Sequence, residues 1–228
     1  MTEAKRRAAE EALSFLPERG VVGLGSGSTA ELFIEAVGRL VAAGRSLYGV
    51  PTSEASRRQA AALRIPLLPD GGPWPIDVCV DGADEVSAEL DLIKGGGGCH
   101  AREKIVNEAA RTNVIVVDES KLSRKLGERW AVPVEVLTFG AQSTRRRLER
   151  FGEIKLRERE GRPFVTDSGN YIFDVRTGAI EAPATLDQAL KAIPGVVETG
   201  LFVARADVVV VAGPAGVRRI ERARSVAG

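Results

Sequence analysis

The spacing of apolar positions changes several times along the chain and sorts it into alternating helices and strands. Residues 4–16 repeat Ala, Leu and Phe every three or four positions until Pro17 and Gly20 interrupt, which predicts a first helix. The apolar run Val21-Val22-Gly23-Leu24 predicts a buried strand leading into Gly25-Ser26-Gly27-Ser28-Thr29. Leu32, Phe33, Ala36, Val37 and Leu40 then share one face of a helix expected over 29–43. The alternation continues with a strand at 46–50, a helix at 53–63, strands at 65–68, 76–81 and 90–93, a helix at 101–111 and a strand at 113–117. Strands interleaved with helices predict an α/β fold, a Rossmann-like and mainly parallel sheet with helices on both faces. Ligands of such sheets lie beyond the carboxyl ends of the strands. Here those ends hold Gly25 to Thr29, Thr52-Ser53-Glu54, Asp81 to Asp84, Lys94 onward and Asp118 to Lys121.

After Trp130 the pattern changes. An apolar run at 132–137, a helix at 141–150, alternating strands at 153–158, 163–167 and 170–175 with a turn at Ser168-Gly169-Asn170, and a helix at 185–192 predict a smaller inserted α+β unit of ferredoxin-like type. Val208-Val-Val-Val-Ala212 then predicts a buried strand returning to the parallel sheet. The expected division is an α/β catalytic domain over 1–129 and 203–228, with a small α+β domain over 130–202.

Composition narrows the class of function. With 228 residues, 44% hydrophobic and 28% charged, the chain can bury a sizeable core. Its net charge of +1 supplies no basic footprint for nucleic acid, and Arg145-Arg146-Arg147 reads as a solvated helix face beside Glu149. The first residues lack an apolar signal core, and no segment reaches the ~18 apolar residues of a membrane span, so no membrane partner and a cytoplasmic location are expected. Cys79 reads as strand filler and Cys99 as a loop-packing residue. With His100 the only histidine, a zinc site would be short of ligands, and no metal or cofactor is expected.

The candidate chemistry lies at the strand ends. Gly23-Leu-Gly25-Ser-Gly27-Ser-Thr29 lacks the third glycine of a dinucleotide fingerprint, and no acidic residue ends the second strand, which disfavours NAD. Without a lysine the loop is not a P-loop either. It reads equally as a small anion site at a helix N-terminus or as a plain turn with an N-cap. Asp81-Gly82-Ala83-Asp84 reads as a pair of reacting carboxylates or as Asx-turn chemistry. Lys94 precedes Gly95-Gly96-Gly97-Gly98, a run whose conformational entropy is costly unless its backbone must approach something closely. Glu103, in the first turn of a helix, is a base or a complement to the helix dipole. One catalytic site would account for all of these together.

Taken together, Gly23 to Thr29, Pro51-Thr-Ser-Glu54, Asp81-Gly-Ala-Asp-Glu-Val86, Lys94 to Gly98, Arg102-Glu-Lys-Ile-Val106 and Ile193-Pro-Gly-Val-Val197 resemble, in order and across almost the whole chain, the motif set of type A ribose-5-phosphate isomerase. Ser26 stands where threonine is common, and Cys99-His100 where apolar residues are frequent. The resemblance implies metal-independent interconversion of D-ribose 5-phosphate and D-ribulose 5-phosphate through a cis-enediolate, in the pentose phosphate pathway. It implies Glu103 as the base, a role for which a carboxylate of ordinary pKa near 4.3 needs a partly desolvated site. Lys94 and the N–H groups of Gly95, Gly96 and Gly97 would hold the enediolate oxygen. Asp81 and Asp84, with Gly82 and Ala83, would bind the sugar and share ring opening and proton transfer between O1 and O2, in an allocation the residue types leave open. Ser26, Gly27, Ser28, Thr29 and Lys121 would hold the phosphate, with Lys5 a further candidate. It also implies a homodimer or a dimer of dimers, with the small domain as an interface. Two other classes fit the pattern less fully: a sugar-phosphate-sensing regulator domain, for which no helix-turn-helix is evident, and a different enzyme on a similar sheet, such as an acyl-CoA transferase or an amino-sugar phosphate isomerase-deaminase.

Overall fold

A computed structural model of the chain describes residues 2–222. The end of the expected first domain, 223–228, lies outside the described residues. In chain order the elements are α1 (Thr2–Ala12), β1 (Arg19–Leu24), α2 (Ser28–Ala42), β2 (Ser46–Pro51), α3 (Glu54–Ala62), β3 (Ile76–Asp81), β4 (Glu85–Val86), β5 (Leu92–Ile93), α4 (His100–Ala109) and β6 (Ala110–Asp118). There follow β7 (Val132–Val136), α5 (Ala141–Leu148), β8 (Glu153–Leu156), β9 (Glu158–Arg159), β10 (Arg162–Pro163), β11 (Tyr171–Arg176), α6 (Pro183–Lys191), β12 (Val196–Thr199), β13 (Leu201–Phe202), β14 (Val208–Gly213) and β15 (Gly216–Glu221).

By contacts the chain divides into two compact units. The first holds the residues up to Gly82, Val106–Ser120 and those from Ala204; the second holds Ala83–Ile105 and Lys121–Val203. Segments 83–105 and 121–129, which the sequence pattern groups with the first domain, thus cluster with the second. The physical reason is strand pairing, since β4 and β5 form a small antiparallel sheet with β13.

The first unit is built on a six-stranded sheet in the order β15-β14-β6-β3-β1-β2. Five strands are parallel, and only the edge strand β15 runs antiparallel. Alternate strand residues point to opposite faces, so each face needs its own cover. Val22, Leu24, Val80, Val114 and Val210 pack with Ala8, Ala12, Phe33 and Val37 of α1 and α2, while Val21, Ile76 and Cys79 pack with Val106 of α4 on the other side. Strand order reverses at β1, which has β2 on one side and β3 on the other, so the crevice past the ends of β1 and β3 is where a ligand of such a sheet binds.

The second unit contains a four-stranded antiparallel sheet in the order β12-β7-β11-β8. With α5 after β7 and α6 after β11 this is the expected ferredoxin-like βαββαβ arrangement. Val132, Val134, Val136, Phe173 and Val175 on one face of the sheet pack with Leu148 of α5 and Leu190 of α6.

Two expected strands do not form as such. At 65–68 only Leu67 bridges to Gly49, and of 163–167 only Pro163 belongs to a strand, β10. Pro66 lacks the N–H a ladder requires, and Thr166 N–H is turned back onto Asn170 O at 2.9 Å in the turn that follows. The short strands β4, β12 and β13 and the charged edge strand β15 were not expected, because runs of two to six mixed residues carry no period of their own.

Candidate active site

In the first unit the loop after β1 is fastened to the end of β3. Gly25 N–H donates to Val80 O at 3.0 Å, and Asp81 Oδ1 accepts from the N–H groups of Ser26 at 3.0 Å and Gly82 at 2.7 Å. A Cβ on Gly25 would come within 2.3 Å of Asp81 Oδ1, so glycine is required for this approach. Gly27 is the N-cap of α2, at φ +92°, and has no side chain to cap the helix. The first N–H groups of a 15-residue helix open at a glycine, an arrangement suited to an anion.

The hydroxyls of this loop divide in two directions. Ser26 Oγ lies 2.8 Å from both Thr52 Oγ1 and Ser53 Oγ, and Ser56 Oγ donates to Gly25 O at 2.6 Å. Thr52, Ser53 and Ser56 are buried, and Ser53 also caps α3 by accepting from Ser56 N–H, a contact worth about 1 kcal/mol. Ser26 thus anchors the loop from within. Ser28, on the exposed side, accepts from Lys5 Nζ at 2.7 Å, which puts a cation at the helix N-terminus. Thr29 follows in the first turn of α2 and is half-buried.

In the second unit Lys94 and Glu103 are both buried, and Lys94 Nζ is 3.2 Å from Glu103 Oε2. Lys94 leaves β5 with its N–H on Gly200 O, and its ammonium lies 5.4 Å from the centre of the buried Phe202 ring. Glu103 sits in the first turn of α4, where the helix dipole favours a carboxylate. Ala83 and Asp84 are half-buried, and Asp84 Oδ2 accepts from Gly96 N–H at 2.6 Å. That N–H is therefore engaged by a carboxylate, whereas Gly97 is exposed and faces open space. Lys121 holds its ammonium 4.9 Å from the Trp130 ring centre.

The flanking charges of the two motifs do other work. Arg102 donates to Asp167 O, and Lys104 Nζ donates to Glu198 Oε1 at 2.9 Å and Thr199 O at 2.8 Å. Burial pushes the Lys104 ammonium below the usual lysine range, against the pull of Glu198. Glu85, fully buried, accepts from the N–H groups of Gly127, Arg129 and Trp130 and so fixes the segment after Lys121. The hydroxyl cluster was visible in sequence only as Pro51-Thr-Ser-Glu54. Nothing in the sequence pointed to Phe202.

His100 is wholly buried, and burial pushes its imidazole down to about 3, opposed by the hydrogen bond to Glu198 O and helped by the nearby Lys104 and Arg157 charges. The ring is therefore neutral at pH 7 and brings no charge to the helix turn it shares with Glu103. An unfolded histidine titrates near 6.5, so below that pH the unfolded chain takes up a proton that the folded chain refuses. The stability from this group is complete above 6.5 and declines as pH falls, by about 2 kcal/mol between pH 7 and 5. Urea unfolding of wild type and His100→Gln at both pH values should show wild type losing that much more; equal losses would mean His100 is not buried as a neutral ring.

Among the described residues no group of three or more His, Cys, Asp or Glu side chains is placed to hold a metal ion, and no helix is long and apolar enough to cross a membrane.

The family model of ribose 5-phosphate isomerase A (phosphoriboisomerase A) matches residues 48–216. The chain is similar to the ribose-5-phosphate isomerase A of Rhodopseudomonas palustris, strain TIE-1, at 47% identity over 97% of this chain and 98% of that one. It is 46% identical to that of Thermomicrobium roseum, over 98% of this chain and 95% of the other. Among solved structures it is similar to a D-ribose-5-phosphate isomerase in complex with phospho-erythronic acid, with a TM-score of 0.93, 39% identity and coverage of 96% and 98%. The ribose 5-phosphate isomerase of Plasmodium falciparum superposes with a TM-score of 0.94 at 33% identity, over 98% of this chain and 100% of that one.

Proposed function

This chain belongs to the ribose 5-phosphate isomerase A family, and from that membership we propose how its own residues carry the family reaction, the interconversion of ribose 5-phosphate and ribulose 5-phosphate. The observation that carries the reading is the buried Lys94–Glu103 pair, a carboxylate and an ammonium 3.2 Å apart.

An aldose becomes a ketose by losing the proton on C2 and gaining one on C1. Glu103 takes the C2 proton from the open-chain sugar, the electron pair forms the C1–C2 double bond, and O1 becomes an oxyanion. Lys94 lies where an ammonium can stabilise that charge, in a buried setting where such an interaction is stronger than in water. A proton moves from O2 to O1 by way of Asp81 or Asp84, and Glu103 returns its own proton to C1. Because one carboxylate serves both carbons, the enediolate is cis.

The phosphate takes no part in bond changes. Gly27, Ser28 and Thr29 at the start of α2, with Lys5 and Lys121, are its proposed ligands, and Ser26 holds their loop in shape. Binding energy from this remote group orients the sugar for the proton transfer. Asp81, Gly82, Ala83 and Asp84 meet the sugar hydroxyls. The same reading takes the working form to be a cytoplasmic homodimer or dimer of dimers, which sedimentation equilibrium tests.

The direct test follows the absorbance of the ketose formed from ribose 5-phosphate, with glucosamine 6-phosphate as competitor and EDTA present. Turnover that survives EDTA and is not blocked by the amino sugar is expected; metal-restorable loss would indicate a different isomerase chemistry. In this assay Lys121→Ala should raise KM about ten-fold and leave kcat nearly unchanged, as loss of one charged contact made equally in ground and transition states requires. If neither constant moves, Lys121 does not hold the phosphate.

A further inference from the structure

Arg157 lies 62 residues beyond Gly95 in the chain, between β8 and β9, yet its guanidinium donates to Gly95 O and, at 3.3 Å, to Gly96 O. Its other edge is paired with Asp174 of β11, Nε to Oδ2 at 3.0 Å and Nη2 to Oδ1. The backbone of Arg157 is itself fixed, since its N–H donates to Ile172 O and its carbonyl accepts from Phe164 N–H, both at 2.9 Å. A planar fork with five donors can serve a carboxylate and two carbonyls at once; a lysine ammonium cannot.

These bonds determine how the glycine run presents itself. A trans peptide is planar and its N–H points opposite to its C=O. Gly95 O turned to Arg157 therefore turns Gly96 N–H the other way, where Asp84 Oδ2 receives it. By the same geometry Gly96 O on Arg157 turns Gly97 N–H away from the guanidinium, on an exposed residue where a Cβ would meet nothing within 4 Å. Gly95 sits at φ +110° and a Cβ there would meet His100 Nδ1 at 2.6 Å, while one at Gly98 would meet the Phe164 ring at 2.3 Å. The loop is thus gripped at both ends and clamped in the middle. A run of four glycines would otherwise sample many conformations.

We infer that Arg157, held by Asp174, is a positioning residue for the isomerisation: it fixes the Gly95–Gly96 and Gly96–Gly97 peptide planes so that Gly97 N–H is aimed at the oxyanion of the enediolate. The inference rests on the reading that the glycine run and Lys94 stabilise that oxyanion. A donor fixed in advance contributes most when charge develops, so its loss lowers kcat more than it weakens substrate binding.

The test compares Arg157→Ala, Arg157→Lys and Asp174→Asn with wild type. Expected for Arg157→Ala is a kcat lower by ~10- to 100-fold, less than the ~10²- to 10³-fold that deleting an oxyanion donor costs because the donor is loosened and not removed, while KM for ribose 5-phosphate stays within about two-fold. The inhibition constant of phospho-erythronic acid, whose carboxylate mimics the enediolate, should rise in step with the fall in kcat/KM. Arg157 borders a groove of about 540 Å³ that Gly96, Asp174 and Lys155 also line. Millimolar guanidinium should enter it and restore part of kcat to Arg157→Ala, with no effect on wild type. Should Arg157→Ala fail to fold, the lysine and asparagine variants still report, each with a lowered kcat and little change in KM. Unchanged kcat in the folded variants, with Lys94→Ala inactive, would overturn the positioning role alone. An active Lys94→Ala would instead remove the oxyanion reading beneath it.

Discussion

Glu103→Gln will bind ribose 5-phosphate with near wild-type affinity and turn it over at least ~10³-fold more slowly, in keeping with the loss of a general base. Glutamine keeps the volume of the buried side chain and an oxygen to set against Lys94, so the 3.2 Å contact has a neutral substitute. What it loses is the ability to take the C2 proton and hand one to C1. The variant should therefore also fail to exchange the C2 hydrogen with solvent deuterium, a partial reaction that needs the base but not completed turnover. Isothermal titration, steady-state kinetics and proton NMR in deuterium oxide separate the effects. A variant that keeps a tenth of the wild-type rate, or still exchanges at C2, would remove Glu103 from the role of base.

Lys94→Met should cost both activity and stability. Activity should fall by ~10²-fold or more, because the developing oxyanion loses its cation in a site where water does not replace it. Stability should fall because Lys94 and Glu103 are only 3% and 5% exposed, and removing one member of a buried pair strands the other at a cost of about 3–5 kcal/mol. The double variant Lys94→Met/Glu103→Gln removes both charges and should recover most of that stability while remaining inactive. Denaturant unfolding of the four proteins closes the cycle. If the double variant is no more stable than Lys94→Met, the two groups are not coupled through burial, and the pair does not have the role assigned to it.

Some of this site is legible residue by residue in the sequence, and some is not. Glycine runs and charged residues at strand ends point to chemistry because each is costly without a partner, and Gly25, Gly27 and Lys94 stand where that reasoning leads. The motif Arg102-Glu103-Lys104 shows the limit. Three adjacent charges look alike in sequence, yet Arg102 ties down the segment at Asp167, Lys104 is consumed by Glu198 and Thr199, and only Glu103 faces Lys94. Asp84 and Glu85 divide in the same way, one on Gly96 and the other on the N–H groups of 127–130. Successive helix residues are about 100° apart and successive extended residues point to opposite sides, so neighbours in a motif meet different surroundings.

The sequence by itself determined the helices and the longer strands, the α/β and ferredoxin-like classes, the loops at the strand ends and the family, because periodicity, turn residues and motif order are local properties written in consecutive residues. Tertiary structure alone decided that β4 and β5 pair with β13, that Ser26 turns inward onto Thr52 and Ser53, and that His100 is held neutral. It also decided that an arginine 62 residues away clamps the glycine run. Those outcomes depend on which distant surfaces meet and exclude water. Burial and long-range hydrogen bonding arise only when the chain closes on itself, and no stretch of consecutive residues carries them.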